Sequence, residues 1–400
     1  MKILQLCLKP PLPAKDGGCI AMNNITTGLL EAGHSVKILT IFTQKHDFVP
    51  EALSNDYLEK TQIEGVYVDT HINVVDAFAN FITSDSYNIS RFFSADFDIK
   101  LTRLLRYNKY DVIHLESLFM TPYVGTIRRN CNTPVVLRSH NLEFVIWERI
   151  ARGSSNVFKK MYLNYLARKM KNYEISMLNY VDAIASISDE DRQRFHDLGI
   201  KRRIKTIPFG IDLRNYPVLN DPGLDEISLF HIGAMDWGPN VEGVQWFLNK
   251  IWMRIHEEFP NLKLYLAGRN MPIDALPELP NVIYVGEVDN AIDFMRSKSV
   301  MIVPLLSAGG IRVKIIEGMA MQKAVISTTL GAEGIECTHG QNILLADSPD
   351  QWLEAITEVV MKKNRANELG CAGREHVKNY FDIASISKSL IQFYKELRRE

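Results

Sequence analysis

The sequence predicts an α/β protein built from two doubly wound, Rossmann-like domains in series. Three observations carry this prediction. Short apolar, β-branched runs alternate with helical spacers, the alternation occurs twice, and 400 residues are too many for one ordinary core. A stretch rich in Pro, Gly, Asn and Asp, PFGIDLRNYPVLNDPGLDE (208–226), separates the two series and marks a boundary.

The first series opens with KILQLCL (2–8), a strand, and CIAMNNITTGLLEAGH (19–34), a helix closed by Gly33. SVKILTI (35–41), GVYVDTHI (65–72), DVIHLE (111–116), PVVLRSH (134–140), DAIASIS (182–188) and IKTIPF (204–209) read as the further strands. The second series offers ISLFHIG (227–233), LKLYLAG (262–268), NVIYVGE (281–287), SVMIVPL (299–305), AVIST (324–328) and NILLA (342–346). Helices are expected at 240–258, 312–322, 350–361 and 384–398, and from 190 onward with Asp189 or Asp191 as its cap. Continuous apolar runs, rather than alternating ones, are what a sheet covered on both faces requires.

Composition bounds the function. Hydrophobic residues make up 46% and charged residues 23%, as in ordinary globular proteins. The net charge of −1 implies no polyanion partner, so nucleic acid is not expected. Residues 1–205 carry 27 Lys and Arg against 22 Asp and Glu, whereas residues 206–400 carry 19 against 25. That asymmetry reads either as different partners for the two halves or as solvated helices. Five widely spaced cysteines, with no C-x-x-C pair, point to reduced thiols in a cytoplasm and away from a disulfide framework or zinc knuckle. The apolar start of MKILQLCLKPP is too short for a signal peptide, and no run reaches the length of a membrane span.

Ligands of doubly wound sheets bind beyond the carboxyl ends of the strands. After the first strand, Gly17 and Gly18 precede a helix N-terminus, a place that suits an anion or a plain turn. Neither G-x-G-x-x-G nor G-x-x-x-x-G-K-[ST] occurs, which disfavours a nicotinamide cofactor and a P-loop ATPase. H-E-x-x-H is absent, and no metal site is expected. The informative stretch is SAGGIRVKIIEGMA (307–320). Gly309 and Gly310 give a bare turn after a buried strand, and a helix is expected to begin near Arg312. Its first N–H groups, the Arg312 fork and the Lys314 ammonium then gather at one end, which suits a diphosphate. Glu317, three residues beyond Lys314, accepts hydrogen bonds and suits ribose hydroxyls; surface ion pairing is the alternative.

GGIRVKIIEGMAMQKAVIST resembles the donor-site motif of the GT4 retaining glycosyltransferases, which have the GT-B fold. SISDEDRQRF, IPFGIDLRNY, HIGAMDWGPNVEGVQWFL and LYLAG fall in the family's order and spacing, so the resemblance covers nearly the whole chain. It implies two Rossmann-like domains facing each other across a cleft. It also implies an acceptor-side domain at 1–207 with a last helix (382–400) crossing back, and a donor domain at 208–381. A UDP- or GDP-sugar is the implied donor, and a glycan, a lipid-linked molecule or a small molecule the acceptor, in bacterial surface polysaccharide or glycoconjugate synthesis. Many members carry two glutamates separated by seven residues. Glu317 matches the second, while the first falls on Gly309, and the basic pair other members carry is missing from GAMDWGPN (233–240). Arg312 and Lys314 are then the implied diphosphate ligands, with the amides around Ile311, and no metal or other cofactor is needed.

His140 matches the family's sugar-contacting histidine, and Asn141 beside it is an acceptor-side or capping residue. Glu116, after another strand, reads as an acceptor contact or a structural carboxylate. Gly233 gives close backbone approach, Arg269 and Asn270 are placed to meet the base, and Val288 closes a VGEV stretch that reads the base through its backbone. Segment 156–174 interleaves Lys159, Lys160, Arg168, Lys169 and Lys171 with Phe158, Met161, Tyr162 and Tyr165. It reads as a helix on the inner face of a membrane or as one burying its apolar side in the core. An epimerase of the same architecture and an inactive sugar-nucleotide-binding protein remain as alternatives, and the oligomeric state is open.

Overall fold

A computed structural model describes residues 1–14, 16–69, 92–153, 156–218, 227–272, 276–307, 310–362 and 364–398. The chain forms two compact units, Met1–Gly210 with Ile383–Glu400, and Ile211–Asp382.

The first unit holds a parallel sheet of β1 (Lys2–Cys7), β2 (Ser35–Phe42), β3 (Glu64–Tyr67), β4 (Val112–Glu116), β5 (Val135–Ser139), β6 (Ala183–Ser186) and β7 (Arg203–Thr206), in the order 3-2-1-4-5-6-7. Alternate residues serve opposite faces, because side chains leave a strand with a period of two. Leu4 and Leu6 join the core with Leu39, Ile113 and Leu137. Ile3 and Cys7 join the other with Val36, Val112 and Val136. That second face is closed by the last helix, Ile383–Leu397, through Ile386, Leu390, Phe393 and Tyr394. The helix packs closely on Gly17–Glu31, where a methyl group at Gly28 would overlap the Ser387 hydroxyl.

The second unit repeats the design with β8 (Ser228–Ile232), β9 (Lys263–Ala267), β10 (Val282–Gly286), β11 (Val300–Val303), β12 (Ala324–Ser327) and β13 (Leu344–Leu345), in the order 10-9-8-11-12-13. Its core gathers Leu229, Leu264, Leu266 and Ile302 under Phe247, Trp252 and Trp352. In each sheet the strand order reverses beside the first strand, at β1/β4 and at β8/β11. Doubly wound sheets bind ligands beyond the carboxyl ends at such points.

Several elements differ from the sequence expectation. The strand expected at 65–72 is Glu64–Tyr67, and residues 70–72 lie outside the described residues. So does part of the boundary stretch, 219–226. The single helix expected over 240–258 is Gly238–Phe247 followed by a π-helical turn, Leu248–Trp252, and Met253–Glu258. Ser188, not Asp189 or Asp191, caps the helix Asp189–Asp197, accepting from the Asp191 amide. Asp189 instead accepts from Thr206 and Asp191 pairs with Arg194. Segment 156–174 is the helix Val157–Leu178, and it buries Leu163, Ala167, Met170 and Leu178 while its first two turns are exposed. No helix among the described residues is long and apolar enough to cross a membrane.

Candidate functional site

In the second unit the β8/β11 switch point gathers most of the expected donor residues. The strand β11 ends at Val303, and the chain turns through Gly310, whose φ of +72° lies where a side chain is disfavoured. Gly309 lies outside the described residues. Ile311 is half-buried, and the helix starts at Val313, one residue later than expected, with Arg312 at its N-cap. Arg312 is only 4% exposed, and its guanidinium brings a buried positive charge to this helix end.

Lys314 reaches back over the end of β8. Its Nζ donates to Oδ1 of Asn240 at 2.8 Å, and it occupies the space a methyl group at Gly233 would need. Asn240 is itself held by a bond from its Nδ2 to the Ala234 carbonyl, 2.8 Å. Burial and the neighbouring Arg312 charge push the Lys314 pKa down to about 7, against the pull of Glu317. One turn on, burial raises the Glu317 pKa, while the Tyr216 hydroxyl and Lys314 act the other way. The Tyr216 hydroxyl donates to Glu317 Oε1 at 2.8 Å. The result is two basic side chains and one carboxylate within the first turns of one helix, beside the end of β8.

The flanks are built from backbone. Gly268 ends β9, and a methyl group there would overlap the carbonyl of Gly233, so the ends of β8 and β9 meet closely. Arg269 follows, its guanidinium 3.6 Å from Asp236 and its carbonyl accepting from the Met235 amide. Asn270 takes a left-handed conformation, φ +57°. Val288 is half-buried after β10, whose Gly286 carbonyl accepts from the Gly268 amide. These residues share one sheet edge with Gly233, as strand order 10-9-8-11 dictates.

A pH dependence follows from Lys314. A bound anion favours the charged ammonium, but the unliganded site releases that proton as pH rises through about 7. Binding above that value therefore takes up a proton, and affinity for a nucleoside diphosphate should fall by up to about tenfold per pH unit. The ligand is already fully ionised there, since a second phosphate pKa is about 6. Calorimetry between about pH 7.5 and 9, in two buffers of different ionisation heat, should show this uptake. A flat affinity with no proton uptake would contradict the placement of Lys314 beside the phosphates.

The first unit places its candidates differently. Gly17 and Gly18 open the helix Gly17–Glu31, but Asp16 caps it, accepting from the Cys19 amide at 2.9 Å. Asp16 also holds Lys9 and His46, which keep its carboxyl far below the ordinary range despite burial. A carboxylate of the chain itself thus sits where the two glycines were expected to leave room for an anionic ligand.

Glu116, at the end of β4, is 1% exposed, and each of its oxygens has a hydrogen-bond partner. Oε1 accepts from Gln5 Nε2 at 2.9 Å and lies 3.1 Å from His114 Nε2. Oε2 lies 3.0 Å from His140 Nε2 and 3.8 Å from Arg138 Nε. Burial alone would raise its pKa, but these partners hold it well below the usual carboxylate range. A carboxylate only accepts, so His140 turns an N–H toward Glu116 and presents Nδ1 as the acceptor of its neutral ring. Burial lowers the His140 pKa and Glu116 opposes that. Glu116 is therefore the support behind His140 and does not face an acceptor, as one reading of the sequence had it. Asn141 follows His140 and bonds to the Glu143 carboxyl.

Sequence reasoning missed Asn240 and Tyr216 as partners of Lys314 and Glu317, and it named Glu116 and His140 without seeing that they meet each other, His114, Arg138 and Gln5. It also missed two carboxyls beside Asn141. Burial pushes Glu143 up to about 7, and burial with the Glu143 charge pushes Glu174 up to about 8. One signal was available. His114 and Arg138 stand inside otherwise apolar strand segments, and a charge there demands a buried counter-charge.

Comparison with known proteins matches residues 17–215 to the family described as Glycosyltransferase Family 4, and residues 226–362 to that described as Glycosyl transferases group 1. An uncharacterized glycosyltransferase of Methanocaldococcus jannaschii is 35% identical over 278 residues, covering 68% of this chain and 71% of its own. An uncharacterized 44.6 kDa protein in the cps region of Klebsiella pneumoniae is 24% identical over 98% of this chain and 99% of its own. Among solved structures, sucrose-phosphate synthase from Thermosynechococcus elongatus superposes with a TM-score of 0.72 at 17% identity, over 99% of both chains. Anabaena HepE in complex with UDP gives 0.69 at 12% identity, over 99% of this chain and all of the other.

Proposed function

The chain belongs to the family 4, group 1 glycosyltransferases and has their GT-B fold, and from that premise we propose that it moves a sugar from a UDP- or GDP-sugar to a glycan, lipid-linked or small-molecule acceptor with retention of configuration. The family match supports a transferase over the epimerase and inactive-binder alternatives. One observation carries the donor reading. Lys314 lies over the bare backbone of Gly233 at the helix end that Arg312 opens, with Glu317 and Tyr216 a turn beyond.

The chemistry assigned to each group follows from the charge that develops. When the bond from the sugar to the diphosphate breaks, negative charge grows on the leaving oxygen. Donors fixed in advance near that oxygen lower the barrier. Arg312, Lys314 and the first N–H groups of Val313–Ala320 take this role, and the departing phosphate helps to deprotonate the acceptor. Glu317 holds the ribose hydroxyls. In the first unit, His140 is assigned to a sugar hydroxyl through its Nδ1. A place in bacterial surface polysaccharide synthesis is supported by the relative encoded in a cps region, and a UDP-sugar by the HepE complexes with UDP and UDP-glucose.

With two cations supplied by the chain, we assign no divalent ion to the diphosphate. The test is a thermal-shift screen of UDP-, GDP-, ADP- and dTDP-sugars in EDTA. A ligand that binds only the native state raises its stability, by about 2.7 kcal/mol at a hundred times its dissociation constant. One nucleotide class should raise the melting temperature in EDTA, and transfer with that donor should persist there. No shift with any of them, or a shift that appears only with magnesium or manganese, would contradict the metal-free donor site.

A further inference from the structure

We propose that the tip of the helix pair Glu143–Gly153 and Val157–Leu178 is a docking surface for an anionic lipid bilayer. The two helices run antiparallel. Glu174, late in the second, accepts from the Glu143 and Phe144 amides that open the first, so the helices are tied at that end, and at the opposite end the last turn of the first and the first turns of the second form the tip.

A surface helix normally turns its apolar residues inward, and the later turns of Val157–Leu178 do so. The first two turns do not. Val157, Phe158, Met161 and Tyr162 are 68%, 84%, 66% and 52% exposed, and Ile150 at the facing helix end is 48% exposed. Val157 and Met161, and Phe158 and Tyr162, are four residues apart and so lie one above the other as a continuous apolar strip. Lys159 and Lys160 are exposed beside them. Residues 149–173 contain seven Lys and Arg and no Asp or Glu. Lys169 and Lys171 lie over the rings of Tyr165 and Phe144, which leaves the exposed pair at the tip as the cations nearest the apolar strip.

This combination selects its occupant. A bilayer interface takes apolar side chains into the boundary between headgroups and acyl chains and attracts cations to anionic lipid. RNA would pair with the lysines but gains nothing from Val157 and Met161. A second copy on the same face would set like charges against each other. The surface involves none of the donor residues, so it is tested without a donor.

The experiment is co-sedimentation of the full chain with phosphatidylcholine vesicles, with or without roughly a third phosphatidylglycerol. The protein should bind the anionic vesicles and not the neutral ones. Lys159→Ala with Lys160→Ala should lower partitioning roughly 30-fold at low salt, since each lysine near an anionic surface contributes about equally. Phe158→Ala with Met161→Ala should lower binding at every salt concentration, and both double variants should melt with the wild type because all four side chains are exposed. Failure of the wild type to bind anionic vesicles overturns the proposal, as does undiminished, wild-type binding by both variants. So does a dimer in size-exclusion chromatography that the Phe158→Ala, Met161→Ala variant abolishes, because a second copy is then the occupant.

Discussion

Replacing Arg312 or Lys314 with alanine is expected to weaken nucleoside diphosphate binding by roughly tenfold to a hundredfold or more. Each change removes a charge-assisted contact worth about 1.5–3 kcal/mol. Neither should unfold the second unit. The bond from Lys314 to Asn240 is one polar contact beside a large apolar core, and Arg312 stands at the start of its helix, outside that core. Glu317→Gln supplies the contrasting arm. It leaves the phosphate cations in place and alters the group held by Tyr216. It should therefore weaken nucleotide binding much more than pyrophosphate binding. Titration calorimetry with UDP or GDP and with pyrophosphate reads all three variants. Wild-type diphosphate affinity in both alanine variants, with melting unchanged, removes the phosphate assignment. Equal losses of both ligands in Glu317→Gln would mean that the helix, not the ribose contact, has been damaged.

Glu116→Ala should be the most destabilising single change in the first unit, by about 3–5 kcal/mol. It strips the counter-charge from buried Arg138 and leaves His114, His140 and Gln5 facing an apolar methyl group. The damage would extend to the last helix, because the Tyr394 hydroxyl bonds to Nδ1 of the same His114. For a unit of this size, the melting temperature should fall by about 10 °C. Glu116→Gln keeps the shape and isolates the charge. The folded pKa of Glu116 is depressed, so its contribution is complete above the unfolded value of about 4.3 and is lost as pH falls toward the folded one. The variant's stability should therefore fall less steeply than the wild type's below about pH 5. A melting point for Glu116→Ala within a degree or so of the wild type would show that the cluster is not a coupled charge network.

Much of the architecture was legible because its signals are local. A fully buried strand needs a largely apolar run; β11 is one without interruption, and β1, β2 and β8 are apolar apart from a few polar residues. The Gly-Arg-Lys-Glu stretch could be read as an anion site because its residues share one turn and one helix start. Boundaries were less legible. The expected strand at 342–346 keeps only Leu344–Leu345 in the ladder, since pairing ends where the partner strand β12 ends. The helix over 240–258 changes winding at Leu248–Trp252, a local event that an apolar period does not encode.

The sequence by itself determined the class of the fold, the two-part design, and which residue types stand at strand ends: a fork cation, a point cation, a carboxylate and a histidine. The tertiary structure alone decided their companions. Tyr216 meets Glu317 across 101 residues, Asn240 meets Lys314 across 74, and Tyr394 meets His114 across 280. It also decided that Glu116 lies behind His140, that Asp16 caps the first helix, and that Phe158 and Met161 face outward. The physical reason is that period and residue chemistry act over a few residues, whereas these neighbours are set by strand order and packing. Closing a longer loop costs only slightly more entropy than closing a shorter one, so separation along the chain says almost nothing about which buried polar groups will find each other.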